Sequence, residues 1–351
     1  MNYNFLNGVK VVELGRVLSA PYSSKLLSDL GADVTKIEAG EGDPYRELPP
    51  RVGDNSVWFF NFNYGKKFLH IADLKDWMAH ADVLESIKNT DILIENFRPG
   101  LLKRYGLDFE SLKKINPRIV YVSISAFGQE GTLSKKAGFD IVVQALSGYM
   151  IDYDKEEIVH PHTYLSDYAS GLFAAFVATS MLLRKDRTAV YIDVSMFDIL
   201  VNWSAIFSLI TNHDQTYRDL IFKMDPAAFP YGAFKTKDEK NIVIAVVGQA
   251  MVGRFFEAFR EELTREGAQL EDFLDPSSFH KLRDKVSNLI SGIDLAELEK
   301  KLTEHRIPWE LVKSGLDLMN DSYVVERKLF EELPSESGQT KVASFPVRIK
   351  T

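Results

Sequence analysis

The sequence predicts an α/β protein: a large doubly wound domain and a smaller α+β domain. Three observations point there. Strand, helix and strand follow one another within the first forty residues. The same alternation recurs to about residue 125. Near residue 212 the character changes, and polar, mixed sequence separates a run of helices from a second set of short strands. At roughly 150 residues per domain, a chain of 351 residues has room for two.

Gly8 to Leu14 is a β-branched run opened by glycine, so it reads as a strand. Ala20-Pro21 opens a helix with proline near its first turn. Tyr22, Leu26, Leu27 and Leu30 give that helix an apolar stripe, and Gly31 ends it. Asp33 to Glu38 is a second strand, which completes a βαβ unit and implies a parallel sheet. Lys75 to Thr90 then reads as a helix, Asp91 to Glu95 as a strand, Phe109 to Ile115 as a helix and Ile119 to Ser123 as a strand. Pro99-Gly100 and Asn116-Pro117 punctuate them. Helical patterns cover Asp140 to Met150 and Ser166 to Leu183, followed by a strand at Val190 to Val194 and a helix through Ile210.

Residues 1–200 are therefore assigned to the large domain and 201–225 to a linker. Tyr231 to Lys235 and Ile242 to Val247 flank a polar turn and read as a hairpin. Val252 to Leu263, Phe279 to Ser291 and Leu295 to His305 read as helices, so 226–324 form the small domain. The tail from 325 carries Pro334, Pro346 and little periodicity, and is expected to pack back on the large domain. There is no internal repeat and no low-complexity segment.

Charge and composition exclude several classes. The 42 basic and 50 acidic residues leave a net charge of −8, which argues against a nucleic-acid partner or a membrane surface. A local basic pocket for an anionic ligand stays open. The chain has no cysteine, which removes disulfides, thiolate metal sites, iron–sulfur clusters and cysteine nucleophiles together. The N-terminus lacks a basic region followed by an apolar run, and no apolar stretch is expected to reach the ~18 residues of a membrane span. A cytoplasmic protein is the expectation.

Common catalytic signatures are missing. There is no GxxxxGK[ST] phosphate loop, no HExxH and no GxSxG elbow. After the first strand comes Gly15-Arg16-Val17-Leu18-Ser19-Ala20 in place of GxGxxG, which disfavours a dinucleotide site. His160 and His162 share a strand-like spacing but lack a third ligand nearby, so no metal is expected. What remains is Asp167, just before an apolar helical run. It reads as an ordinary first-turn acid of that helix or, if it faces a cavity, as a nucleophile forming an acyl intermediate. Glu95-Asn96-Phe97-Arg98-Pro99-Gly100 follows a strand, where open α/β sheets bind ligands; it is either a turn with a surface arginine or part of a site for a phosphorylated, base-containing ligand.

Long collinear segments carry a resemblance. Gly8 to Pro21, Leu27 to Glu38, Asp91 to Gly100 with its ENFRPG, Lys103 to Leu107, Asn116 to Gln129 and Gly138 to Gly148 occur in the order found in the class III CoA-transferases. That group is typified by formyl-CoA transferase and carnitine CoA-transferase, and α-methylacyl-CoA racemases share its fold. The likeness is strong from residue 6 to about 200 and faint after 250. It implies a Rossmann-like large domain, an interlocked homodimer, and coenzyme A or acyl-CoA as substrate with no tightly bound cofactor. It implies a carboxylic-acid acceptor and an aspartate, here Asp167, that attacks the thioester to form a mixed anhydride. It places Arg16, Val17 and Leu18 beside the pantetheine, and Asn96, Phe97 and Arg104 beside the adenine nucleotide. Lys66 and Arg46 are phosphate candidates, and Asp140 joins the CoA-binding positions.

The chain also departs from the pattern. Where racemases carry a proton-moving histidine, Phe139 stands before Asp140, which favours transfer over racemisation. The glycine-rich loop of formyl-CoA transferases corresponds to Met224 to Pro230, which lacks the glycines, and Asp186 to Tyr191 is a shortened turn. An acyl-CoA racemase or epimerase, and a CoA-binding homologue without catalysis, are the alternatives to a transferase.

Overall fold

The computed structural model describes residues 3–52, 55–152, 157–160, 162–213, 228–335 and 338–349. Its contacts divide the chain into two units: residues 1–151, 158–204 and 322–351 form one, and 152–157 with 205–321 form the other.

The first unit is built on a six-stranded sheet. Its strands are β1 (Lys10–Glu13), β2 (Asp33–Ala39), β3 (Lys67–Ile71), β4 (Ile92–Glu95), β5 (Val120–Ser125) and β6 (Val190–Ser195). They lie in the order β6-β5-β4-β1-β2-β3, all parallel, with Val11 of β1 paired to Val34 on one side and Ile92 on the other. From β1 the chain adds strands to one edge as far as β3, then returns to add β4, β5 and β6 on the other. The order therefore reverses between β1 and β4, which opens a crevice at the carboxyl ends of those strands, where such sheets bind ligands.

The helices are α1 (Ser19–Asp29), α2 (Val57–Asn63), α3 (Ala81–Lys88), α4 (Phe109–Ile115), α5 (Asp140–Leu146), α6 (Leu165–Leu182) and α7 (Met196–His213). They cover both faces of the sheet, so its central strands are buried throughout and read as continuous apolar runs. Alternate residues feed two cores. Val11, Ile92, Ile94 and Val122 face one with Ala174 and Ala178 of α6; Val12, Leu93 and Tyr121 face the other with Trp77, Ile87 and Leu112.

Three local features differ from the sequence reading. The helix expected over 75–90 is a 3₁₀ turn, Leu74–Ala79, followed by α3. Buried Trp77 donates its indole N–H to the Tyr105 carbonyl at 2.8 Å, and His80 between the two pieces is extended. Neither α2, an all-round aromatic run, nor β3 was anticipated. α6 spans 18 residues and, among the described residues, is the helix long and apolar enough to cross a membrane. Its small residues Ala169, Gly171, Ala174, Ala175 and Ala178 are buried, where it packs on α1 and β5. Gly171 makes that packing possible: a Cβ there would lie 2.7 Å from the Ser19 carbonyl oxygen and 2.9 Å from Tyr22. The tail forms a hairpin, Phe330–Ser335 with Gly338–Ala343, and the Ala343 N–H donates to the Asn61 side chain of α2 at 3.0 Å.

The second unit has an antiparallel sheet of β7 (Ala228–Lys235), β8 (Asn241–Val247) and β9 (Trp309–Leu311). Around it stand α8 (Gln249–Ala258), α9 (Arg260–Arg265), α10 (Phe279–Ser291) and α11 (Leu295–Glu304). The helix expected over 252–263 breaks at Phe259, which leaves helical geometry and is fully buried. Phe229 stacks on Phe279 at 5.0 Å within a core shared with Phe255, Phe273, Ile244 and Leu282. The linker expected over 201–225 is helical as far as His213. Its remainder, and Met224 to Ala227 of the expected glycine-poor loop, lie outside the described residues.

Candidate active site

The β1–α1 turn starts from a buried charge cluster. Lys36 of β2 donates to Glu13 at 2.6 Å, to the Gly15 carbonyl at 2.8 Å and to Asp43 at 3.0 Å. Lys66 donates to the other oxygen of Glu13 at 2.7 Å, to the Pro21 carbonyl at 2.9 Å and to Asn63 at 2.9 Å. Two cations and two carboxylates balance, and each ammonium group makes three hydrogen bonds. Burial alone would raise the Glu13 carboxyl, yet the two ammonium groups win and hold it down at about 2.

On this base the turn is bent hard. Val17 sits at φ 68°, a left-handed conformation that a β-branched residue rarely adopts. Its N–H donates to Asp43 at 3.1 Å. From β4, Asn96 accepts the Arg16 N–H at 2.9 Å and donates to the Arg16 carbonyl and the Ser19 hydroxyl, each at 2.9 Å. Gly15 has no room for a side chain, since a Cβ would come within 2.3 Å of the Ala20 Cβ. The strain is thus held by contacts from β2, β4 and the loop after β2.

α6 brings Asp167 to this turn. Asp140, in the first turn of α5, accepts both the backbone N–H of Ser166, at 2.7 Å, and its hydroxyl, at 2.8 Å, and so caps α6 from outside. Gln144 holds the second Asp140 oxygen at 2.6 Å. Asp167, one residue on, is partly exposed on the cleft. Burial and the nearby Asp140 charge push its carboxyl up to about 7, while the hydroxyl and backbone N–H of Ser19 pull the other way. Among the described residues no cation pairs with it. The closeness of Ser19 depends on Gly171, one helical turn after Asp167.

The cleft has a volume of about 630 Å³ and lies at the switch point. Arg16, Val17, Asn96, Phe97 and Asp167 line it together, with Ser19 and Phe139. The Arg16 guanidinium lies over the Phe97 ring at 5.4 Å. Arg104 lines a smaller adjoining cavity of about 320 Å³ with Arg98, Lys135 and Lys136, a concentration of positive charge in an acidic protein. Leu18 is buried beneath the turn, and Asp140 acts as a cap.

Two phosphate candidates stand elsewhere. Lys66 is sealed in the charge cluster with all three donors used. Arg46 pairs with Glu38, lies 3.8 Å over the Phe59 ring, and faces a separate groove. His160 and His162 are exposed, and among the described residues no group of three metal-binding side chains gathers.

Sequence reasoning did not single out Ser19 or the Glu13–Lys36–Asp43 cluster. The signal for the cluster was a lysine and two acids in and around strands that are otherwise apolar. Ser19 stood at the head of a predicted helix, where serine is too common to be informative.

Comparisons with known proteins show the family. A family model described as CoA-transferase family III matches residues 6–351. The acetyl-CoA:oxalate CoA-transferase of Acetobacter aceti is 41% identical over 251 residues, covering 68% of this chain and 62% of that one. The succinyl-CoA:glutarate CoA-transferase of Homo sapiens is 34% identical over 250 residues, covering 69% and 56%. In both, the match spans less than two thirds of the relative's length. The succinyl-CoA:mesaconate CoA-transferase of Haloarcula marismortui is 28% identical over 367 residues, covering 98% of this chain and 90% of that one. A solved structure of a CAIB/BAIF family protein from Brucella suis superposes with a TM-score of 0.80 at 27% identity, covering 99% and 93%.

Proposed function

The chain belongs to CoA-transferase family III, and from that premise we propose that it moves coenzyme A between an acyl-CoA thioester and a carboxylic acid, with Asp167 as covalent carrier. The supporting observation is a carboxylate in the first turn of α6, open to the switch-point cleft and without a paired cation. A salt bridge would tie up the oxygen that has to attack.

The chemistry follows from atom balance. An Asp167 oxygen attacks the thioester carbonyl, the C–S bond breaks, and CoA departs as thiolate, leaving a mixed anhydride. The released acid has to gain one oxygen, and only Asp167 can supply it. The thiolate therefore attacks the Asp167 carbonyl, freeing the first acid and leaving CoA on Asp167 as a thioester. The second acid attacks that thioester, expels the thiolate and forms a second anhydride. The thiolate then attacks the new acyl carbonyl and restores the Asp167 carboxylate. Water has to be kept out, because each intermediate is activated toward hydrolysis.

In this reading Arg16, Val17, Asn96 and Phe97 border the CoA chain. Arg98, Arg104, Lys135 and Lys136 receive its phosphates. Lys66 and Arg46 hold the scaffold. Exposed apolar side chains such as Leu172 and Phe176 on α6 support a homodimer. Phe139 on the cleft wall has no proton to move, which weighs against racemisation.

The test is incubation in deuterated water with a panel of acyl-CoAs and small carboxylic acids, read by mass spectrometry. New acyl-CoA species that disappear with Asp167→Ala are the expected result. Undiminished transfer by Asp167→Ala would overturn the reading, and α-deuteration without new species would identify a racemase.

A further inference from the structure

Among the described residues, two side chains keep a buried oxygen without a hydrogen-bond partner: Ser23 and Ser125. A buried hydroxyl is normally paired, so each needs a reason. Ser23 has one in packing. It is fully buried on α1 where α6 comes close, and a Cβ on Gly171 would lie 3.4 Å from its backbone nitrogen. A small side chain suits that contact, and Ser23 does not line the cleft.

Ser125 has no such account. It ends β5, is 8% exposed, and lines the switch-point cleft with Phe97, Phe127 and Met196. Its neighbours in the sheet are paired. Ser123, two positions earlier on the same face of β5, donates to Glu95 and accepts from the Gln129 side chain at 2.8 Å. Ser195, opposite Ser125 on β6, accepts the Asp198 N–H at 3.2 Å. Other small polar groups on the cleft wall are engaged too. Asn96 makes three hydrogen bonds, Ser19 bonds Asn96 and Asp167, and Ser134 donates to the Gly131 carbonyl at 2.9 Å. Among these groups Ser125 alone has its bonding capacity unspent.

We propose that Ser125 is a further binding residue for acyl-CoA, its hydroxyl donating to an amide carbonyl of the pantetheine arm. The inference rests on the transferase reading above and adds a residue to it. The match is chemical. Pantetheine carries amide groups on an otherwise apolar chain. An amide that enters a cleft walled by Phe97, Phe127 and Met196 loses water, and it costs free energy unless it finds a partner. Arg16, Arg98 and Lys136 on the same wall suit phosphates, whereas a neutral hydroxyl suits an amide. The placement agrees. Glu95 pairs with Ser123, so the end of β5 lies beside Asn96 and Phe97, which border CoA in that reading. Rotation about Cα–Cβ carries a serine oxygen between staggered positions, and here the turn breaks no hydrogen bond.

The test uses the full chain. CoA and adenosine 3′,5′-bisphosphate are titrated by calorimetry, and thermal unfolding is followed without ligand. Ser125→Ala removes the oxygen and little else. It is expected to bind CoA about threefold to tenfold more weakly than wild type. Adenosine 3′,5′-bisphosphate lacks the pantetheine arm, so its titration is expected to be the same for both chains. Unliganded Ser125→Ala is expected to melt at or above the wild-type temperature, because an unpaired buried oxygen has gone. A merely structural role would instead lower melting temperature and affinity together. Ser23→Ala removes the other unpaired oxygen and is expected to leave CoA affinity unchanged. CoA affinity of Ser125→Ala within about twofold of wild type would overturn the proposal. So would an equal loss for the bisphosphate, an equal loss in Ser23→Ala, or a lower melting temperature for Ser125→Ala. Failure of the wild-type chain to bind CoA would break the transferase reading itself, which keeps the two failures apart.

Discussion

Two buried carboxylates at neighbouring strand ends meet opposite fates. Glu13, at the end of β1, faces two ammonium groups and is held at about 2. Glu95, at the end of β4, meets no cation among the groups that act on it. The Ser123 hydroxyl and the Phe97 N–H are its donors, and burial drives it up to about 7. Asp167 resembles Glu95 in this respect and is also pushed to about 7. Burial raises all three; the counter-charge decides the outcome. Charges that are paired build the support under the Val17 turn, whereas the unpaired acid that reaches the cleft is the one we propose as the nucleophile.

The contrast can be broken most severely at Asp167. Asp167→Asn keeps the shape and removes the nucleophile, so transfer is expected to fall by about a thousandfold or more in an acyl-CoA assay, while CoA still binds. On the paired side, Glu13→Gln leaves Lys36 and Lys66 buried without their shared counter-charge. It is expected to cost ~3–5 kcal/mol in denaturant unfolding. Between the two lies Gly171→Ala, whose Cβ would press on the Ser19 carbonyl from 2.7 Å. A loss of ~1–3 kcal/mol is expected there, together with lower kcat, because Ser19 moves off Asp167. Asn96→Ala removes three hydrogen bonds from the strained turn and is expected to raise the KM for acyl-CoA about tenfold with a smaller effect on kcat.

The smallest effects are the slopes with pH, and their signs are opposite. Glu13 has a lowered pKa, so its stabilisation is present above the unfolded value of 4.5 and is lost as pH falls toward 2. Glu95 has a raised pKa, so its contribution is present below 4.5 and is lost as pH rises through about 7. Glu95→Gln is therefore expected to gain on wild type between those values and to level off above. Chemical denaturation from pH 4 to 9 checks it, and a flat difference would remove Glu95 from the comparison.

How legible this was in the sequence varies with burial. β4 and β5 are covered on both faces, so their apolar runs are plain. β3 is an edge strand in which only Ile71 is buried, and it carried no pattern to read. Asn96 and Phe97 drew notice because they follow a strand at its carboxyl end, but on residue type alone they fitted a turn as well, and the family resemblance had to point to them. Asp167 was not legible on residue type alone: an acid in a first helical turn is ordinary, and the family resemblance had to point to it. Lys66 was a phosphate candidate by resemblance, and nothing near it in the sequence announced that it bonds Glu13, 53 positions away. Pairings of that kind are set by the sheet and leave no local trace. Ser19 depends on Gly171 in the same way, through a contact between distant helices.

The most direct measurement follows one oxygen atom. An acceptor acid labelled with oxygen-18 in its carboxylate is turned over, and the peptide containing Asp167 is analysed by mass spectrometry. The account predicts that label enters the Asp167 side chain during the first turnover and reaches the released acid in the next. An unlabelled Asp167 after many turnovers, with transfer proceeding normally, would contradict it.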